Sequence, residues 1–128
     1  MKVLLDTHLL LWAAAAPQKL SKAALEIIED PKVELFFSAA SIWEIAIKRS
    51  LSRADFRIDP RLFWRALIEN GYVETPITSA HAVAIDLLPP LHKDPFDRML
   101  IAQAIAEPIA LITGDRIVAQ YPGPIQYV

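Results

Sequence analysis

The chain contains no cysteine. Disulfides and thiolate metal sites are thereby excluded, and a cytoplasmic setting is the expectation this fits. Only three glycines occur among the 128 residues. None stands in a G-x-G-x-x-G or G-K-[ST] pattern, so no glycine-rich phosphate loop is present. No apolar run approaches the roughly 18 residues of a membrane span. The opening Met-Lys-Val-Leu-Leu-Asp meets a charge after three apolar residues, which argues against a secretory leader. An excess of positive charge is also missing: the formal net charge is −2 and the pI near 5.9. A nucleic-acid partner would therefore need a local basic patch or bound cations. His8, His81 and His92 share no ligand spacing such as H-x₃-H, so no zinc site is expected. Ser38 and Ser41 have no evident histidine base, which disfavours a hydrolase triad.

What the chain does have is apolar mass. Its hydrophobic fraction is 54% and its mean hydropathy +0.31. One domain, residues 1–128, is expected, with apolar surface left over for a subunit or partner. The alanine-rich faces of Leu9–Ala16 and Ala80–Leu88 are the candidate pairing surfaces of a homodimer. Ten prolines punctuate the elements. Strands are predicted at Val3–Leu5, Glu34–Phe37, Tyr72–Thr75, Ile109–Thr113 and Ile125–Val128. Helices are predicted at His8–Ala16, Lys22–Asp30, Ala39–Leu51, Arg61–Glu69, Ser79–Leu88, Pro95–Glu107 and, briefly, Asp115–Gln120. Ser52–Asp59 reads as a polar loop. The alternation of strand and helix indicates an α/β domain with a mainly parallel sheet.

Four acids fall where strands hand over to helices or within the first turns of helices: Asp6, Glu44, Asp97 and Asp115. Each has a local explanation. Asp6 can cap the first helix. Ile42, Ile45, Ala46 and Arg49 share one side of the third helix, and Glu44 can pair with Lys48 on a solvated stripe with Ser38 and Ser41. Asp94 suits an N-cap before Pro95, with Asp97 near the positive end of the helix dipole. Asp115 can close a turn after Gly114. If the fold gathers all four, however, the pocket must repel itself, neutralise itself or bind a hard cation such as Mg²⁺ or Mn²⁺. Lys48, Arg49, Arg53, Arg57, Arg61 and Arg65 form a basic stretch beside Glu44. It is either solvated surface or a rim that tracks phosphates.

Three motifs, V-L-L-D-T-H-L-L-L-W, S-A-A-S-I-W-E-I-A-I-K and H-K-D-P-F-D-R-M-L-I-A-Q-A followed by L-I-T-G-D, resemble the PIN domain, specifically the VapC-type toxins of bacterial toxin–antitoxin pairs. The likeness runs nearly end to end. It implies a three-layer α/β/α fold with strand order 3-2-1-4-5, and metal-dependent endoribonuclease activity. By this resemblance Asp6, Glu44, Asp97 and Asp115 match the family's acidic quartet, with Asp6 and Asp97 as direct Mg²⁺ or Mn²⁺ ligands and Glu44 and Asp115 completing the site. Asp94 matches a supporting acid, and Thr7 and Thr113 match small polar positions beside the quartet. Lys48, Arg49 and Arg53 are candidate RNA contacts. An antitoxin protein and a second copy of the chain are the implied partners. Pro108 departs from the family's usual glycine before the fourth strand, remote from the acids. Two other readings stay open: a non-catalytic PIN-like RNA-binding module, and a metal-dependent DNA nuclease.

Overall fold

The computed structural model describes residues 1–54 and 56–128. Asp55, inside the loop expected at Ser52–Asp59, lies outside the described residues. Five strands, β1 (Lys2–Leu5), β2 (Glu34–Ser38), β3 (Val73–Thr75), β4 (Ala110–Thr113) and β5 (Ile125–Tyr127), pair in one all-parallel sheet of order β3-β2-β1-β4-β5. The helices are α1 (Thr7–Ala15), α2 (Lys22–Glu29), α3 (Ala39–Ser50), α4 (Pro60–Glu69), α5 (Ser79–Ala84) and α6 (Pro95–Ala106).

Burial on both faces explains why the strands read as apolar runs rather than alternating ones. Val3, Leu5, Phe37 and Ile112 face one layer and pack with Leu9 and Leu10 of α1, Ala24 of α2 and Phe63 and Leu67 of α4. Leu4 and Leu111 face the other layer and meet Met99, Leu100, Ile101 and Ala104 of α6. Helix α3 contributes to both cores, through Ile45 to the first and Ala40 to the second. It starts immediately after β2, at the carboxyl end of the sheet. The chain order reverses around β1: it proceeds outward to β2 and β3, then returns to β4 on the other side. The carboxyl ends of β1 and β4 therefore flank the crevice where open parallel sheets bind ligands.

Three expectations need correction. Asp115–Gln120 is not a helix: Asp115 Oδ1 accepts from Ile117 N–H (2.8 Å) and Val118 N–H (3.3 Å), forming a side-chain-closed turn, and only Val118–Gln120 is 3₁₀. Ser79–Leu88 is a shorter α-helix that tightens to 3₁₀ at Ile85–Leu87 ahead of the two prolines. On α3 the buried face is Ala40, Ser41, Glu44 and Ile45, whereas Ala46 and Arg49 are exposed. The stripe expected to be solvated is in fact the inner one: Ser38 and Ser41 are 0% exposed and Glu44 only 2%. The overlap of α3 with α6 and the sheet ends, invisible to periodicity, decides this. No helix among the described residues is long and apolar enough to cross a membrane.

Candidate active site

Asp6 follows β1 directly and is the N-cap of α1. Its Oδ1 accepts from Leu9 N–H at 2.9 Å, as a capping aspartate should. Its Oδ2 does something a cap does not require: it accepts from the Thr113 hydroxyl at 2.6 Å, across the sheet from the end of β4. The same Thr113 oxygen accepts from Asp115 N–H at 3.0 Å. One hydroxyl thus fixes the two strand-end acids to each other. Asp6 is 7% exposed. Burial raises its carboxyl above the ordinary range in spite of these hydrogen bonds and the nearby His8.

Asp97 comes from the first turn of α6. Asp94 caps that helix, its Oδ1 accepting from Phe96 N–H (2.9 Å) and Asp97 N–H (3.1 Å), with Pro95 at the first helical position. Burial, then repulsion from Asp94, Glu44, Asp6 and Asp115, pushes the Asp97 carboxyl up to about 8. A group that senses all four other acids lies among them.

Glu44 enters from α3. Its Oε2 accepts from Lys48 Nζ at 2.6 Å, and the same ammonium lies 3.5 Å from Asp94 Oδ2. The pair expected on an exposed helix face is therefore an internal bridge between α3 and α6. Burial opposes the charge on Lys48, but Glu44 and Asp94 outweigh it and raise its pKa. The ring of Phe56 lies under that ammonium at 4.9 Å. The other Glu44 oxygen, Oε1, is buried with no hydrogen-bond partner among the described residues. Thr7 and Ser41 share a hydrogen bond of 2.9 Å that ties α1 to α3 beside the acids. Of the three residues read as RNA contacts, Lys48 is turned inward, while Arg49 and Arg53 remain on the surface.

The PIN domain family matches residues 3–124. The chain belongs to the PIN-domain family. Its likeness to Ribonuclease VapC22 of Mycobacterium tuberculosis is 36% identity over 123 residues, 95% of this chain and 93% of that one. The resemblance to VapC-type PIN domains is thus sustained along the chain. Among solved structures, VapBC2 of Rickettsia felis bound to a promoter DNA fragment superposes with a TM-score of 0.72. It covers 99% of this chain and 98% of the other at 14% identity, which speaks for the shared fold alone.

One residue of this PIN domain's cluster was passed over in the sequence. His92 Nε2 lies 3.2 Å from Asp97 Oδ2 and 3.4 Å from Asp115 Oδ2. No second histidine stands at ligand spacing to mark it. The available signal was its place in H-K-D-P-F-D, five residues before Asp97. The three groups are close enough to hold a cation between them. The hydrogen bonds argue against a histidine ligand, however. His92 Nδ1 accepts from Asp94 N–H at 3.1 Å, so the ring proton sits on Nε2. That nitrogen presents an N–H, not a lone pair, on the side of both acids. Tyr121 holds the loop: its hydroxyl accepts from His92 N–H at 2.7 Å and from Arg98 Nη1 at 3.1 Å. His81, by contrast, is structural. It completes the capping box of α5 with Thr78 and contacts Glu107 at 2.7 Å.

The residues fit a hard divalent cation. The donor set is carboxylate oxygen, one carboxylate oxygen is buried without a partner, and a second carboxyl is pushed up by burial and then by its acidic neighbours. Each is a site short of positive charge.

Proposed function

We propose that the chain is a metal-dependent endoribonuclease, the toxin of a toxin–antitoxin pair. The observation that carries this reading is the acid cluster at the carboxyl ends of β1 and β4, short of positive charge, in a chain 36% identical to a ribonuclease over nearly its whole length. Asp6 and Asp97 are assigned as direct ligands of Mg²⁺ or Mn²⁺. Glu44 joins through its free Oε1 and Asp115 completes the site. A bound cation would supply the field that draws in an anionic phosphodiester, activates water and stabilises the departing oxygen.

The chain's own groups supply the rest. Thr113 orients Asp6 and Asp115 by donating to one carboxylate and accepting from the other's backbone. His92 sets its Nε2–H beside Asp97 and Asp115. Asp94 sets the His92 tautomer and caps the helix that carries Asp97. Lys48 neutralises one Glu44 oxygen and leaves the other free. Arg49 and Arg53, with Arg57 and Ser52, border a hollow of about 330 Å³ and form the rim for flanking phosphates.

Control comes from an antitoxin segment. A groove of about 480 Å³ lined by Leu10, Ala13, Phe63, Leu67 and Tyr72 is the seat assigned to its helix. An Arg or Lys from that partner would compete at the acids. The chain also self-associates through Val83 and Leu87, which are 70% and 83% exposed within the Ala80–Leu88 face. The first proposed face contributes less, because Leu9, Leu10 and Leu11 belong to the core.

The test is cleavage of structured RNA and of single-stranded DNA with Mg²⁺, with Mn²⁺ and in EDTA. RNA should be cut only with metal. Full activity in EDTA would remove the metal mechanism, and exclusive cutting of DNA would replace the substrate. Co-expression with the product of the adjacent small gene tests the toxin assignment, which requires binding and inhibition.

A further inference from the structure

Beside the acids lies a second hollow, of about 540 Å³, that the metal chemistry does not use. Asp6 and Asp115 form its edge, so it opens directly off the cluster. Its remaining lining comes from two places. His8 and Trp12 project from successive turns of α1, their rings 5.8 Å apart. Arg116 follows Asp115, and its guanidinium lies 5.4 Å from the centre of the Tyr127 ring at the end of β5. Aromatic faces and a planar cation, gathered next to a place for a phosphodiester, are what an unstacked base requires. The hollow falls within the volume range of small-ligand sites. Nothing about phosphate recognition or sheet packing calls for Tyr127, which stays 46% exposed on the edge strand.

We infer that this hollow is a nucleobase site. It takes the unpaired base of the nucleotide adjoining the scissile phosphate, stacked against Trp12 and against the Arg116–Tyr127 pair. The inference rests on the ribonuclease reading and deepens it. The substrate it selects is RNA whose base at the cut is free to leave the helix. The aromatic chain also continues the other way: His8 packs edge-on against Phe56 at 5.5 Å, and Phe56 lines the hollow bordered by Arg49, Arg53 and Arg57. A single strand thus has a base contact beside the acids and a phosphate rim joined to it through His8 and Phe56.

The experiment compares binding of a fluorescein-labelled single-stranded RNA with that of an abasic sugar–phosphate strand of the same length. Fluorescence anisotropy is read in Ca²⁺, with strand integrity checked on a gel. Wild type should prefer the base-bearing strand by about 5- to 100-fold. Tyr127→Ala and Trp12→Leu should each lose most of that preference while binding the abasic strand as wild type does. Tyr127→Ala carries the test if Trp12→Leu, which also touches the core, unfolds the chain. Equal binding of both strands by wild type, or an undiminished preference in Tyr127→Ala, would overturn the inference. Cleavage in Mg²⁺ is scored separately. Base-dependent binding without cleavage would remove the nuclease reading and leave the base site standing.

Discussion

Replacing Asp97 by Asn should stabilise the folded chain and at the same time abolish its activity. The carboxyl ordinarily titrates at 3.8 and is pushed up to about 8, by burial first and then by Asp94, Glu44, Asp6 and Asp115. Because the folded value is raised, the folded state binds a proton more tightly than the unfolded chain. Stability is fully present below about pH 4 and is lost as pH climbs through about 8. At 1.36 kcal/mol per pH unit, the shift sets a ceiling of about 6 kcal/mol on that loss. Neighbouring acids can share the proton, so the gain from Asp97→Asn is set at about 1–3 kcal/mol above pH 8. For a domain of this size each kcal/mol corresponds to roughly 3–6 °C in Tm. The assay is thermal unfolding of wild type and variant in EDTA at pH 5 and pH 9. The stability advantage of the variant should widen between the two. Mg²⁺ should raise the Tm of wild type far more than that of the variant, because a cation that binds only the folded state stabilises it by mass action. An advantage that is equal at both pH values, or a variant that is the less stable at pH 9, would refute the charge repulsion on which the metal site is argued.

Lys48→Met should destabilise by about 3–5 kcal/mol in urea unfolding, because Glu44 and Asp94 keep their charges and lose the shared ammonium; Mg²⁺ should restore part of that loss, and a neutral effect would contradict the internal bridge. His92→Leu should weaken Mn²⁺ binding measured by calorimetry, whereas His92→Gln, which can still present an N–H to Asp97 and Asp115, should retain most of it; equal losses would show that the ring acts by packing. Thr113→Val, close in size, should cost about 1–3 kcal/mol by stranding the Asp115 N–H and removing the donor to Asp6. Val83→Asp together with Leu87→Asp should shift sedimentation from dimer to monomer and leave a Tm that no longer depends on protein concentration, and a persistent dimer would move the interface elsewhere.

The element pattern was legible because proline and capping residues mark it: Asp94-Pro95 before α6 and Ser21 before α2 act as N-caps where the sequence places them. A mainly parallel sheet followed from alternation and its order from the family likeness; all four strand pairs are in fact parallel. The direction α3 faces was not legible. Ser41, Glu44 and Lys48 recur at helical spacing, and periodicity says only that they share a face. The partners that turn this face inward lie far away in sequence: Thr7 meets Ser41, and Asp94 meets Lys48, 46 residues on. A stripe of serine, glutamate and lysine is ordinarily solvated, so the local signal pointed outward.

The same long-range polar contacts explain how separate acids acquire one geometry. Carboxylates that repel one another will not assemble by themselves, so neutral groups must hold the backbone that carries them. Gln103 on α6 reaches the Ser38 hydroxyl at 2.5 Å and fixes the junction of β2 and α3. Thr7–Ser41 fixes α1 to α3, and Thr113 fixes β4 to Asp6. Each is buried and satisfied, and each lies on an element that carries or abuts an acid. Buried hydrogen bonds of this kind add little net stability but are costly to leave unmade. They therefore specify position more than they stabilise the fold. Removing any one should loosen metal affinity before it lowers Tm by an amount comparable to a core deletion, which is the behaviour expected of a preorganised site and not of a merely well-packed one.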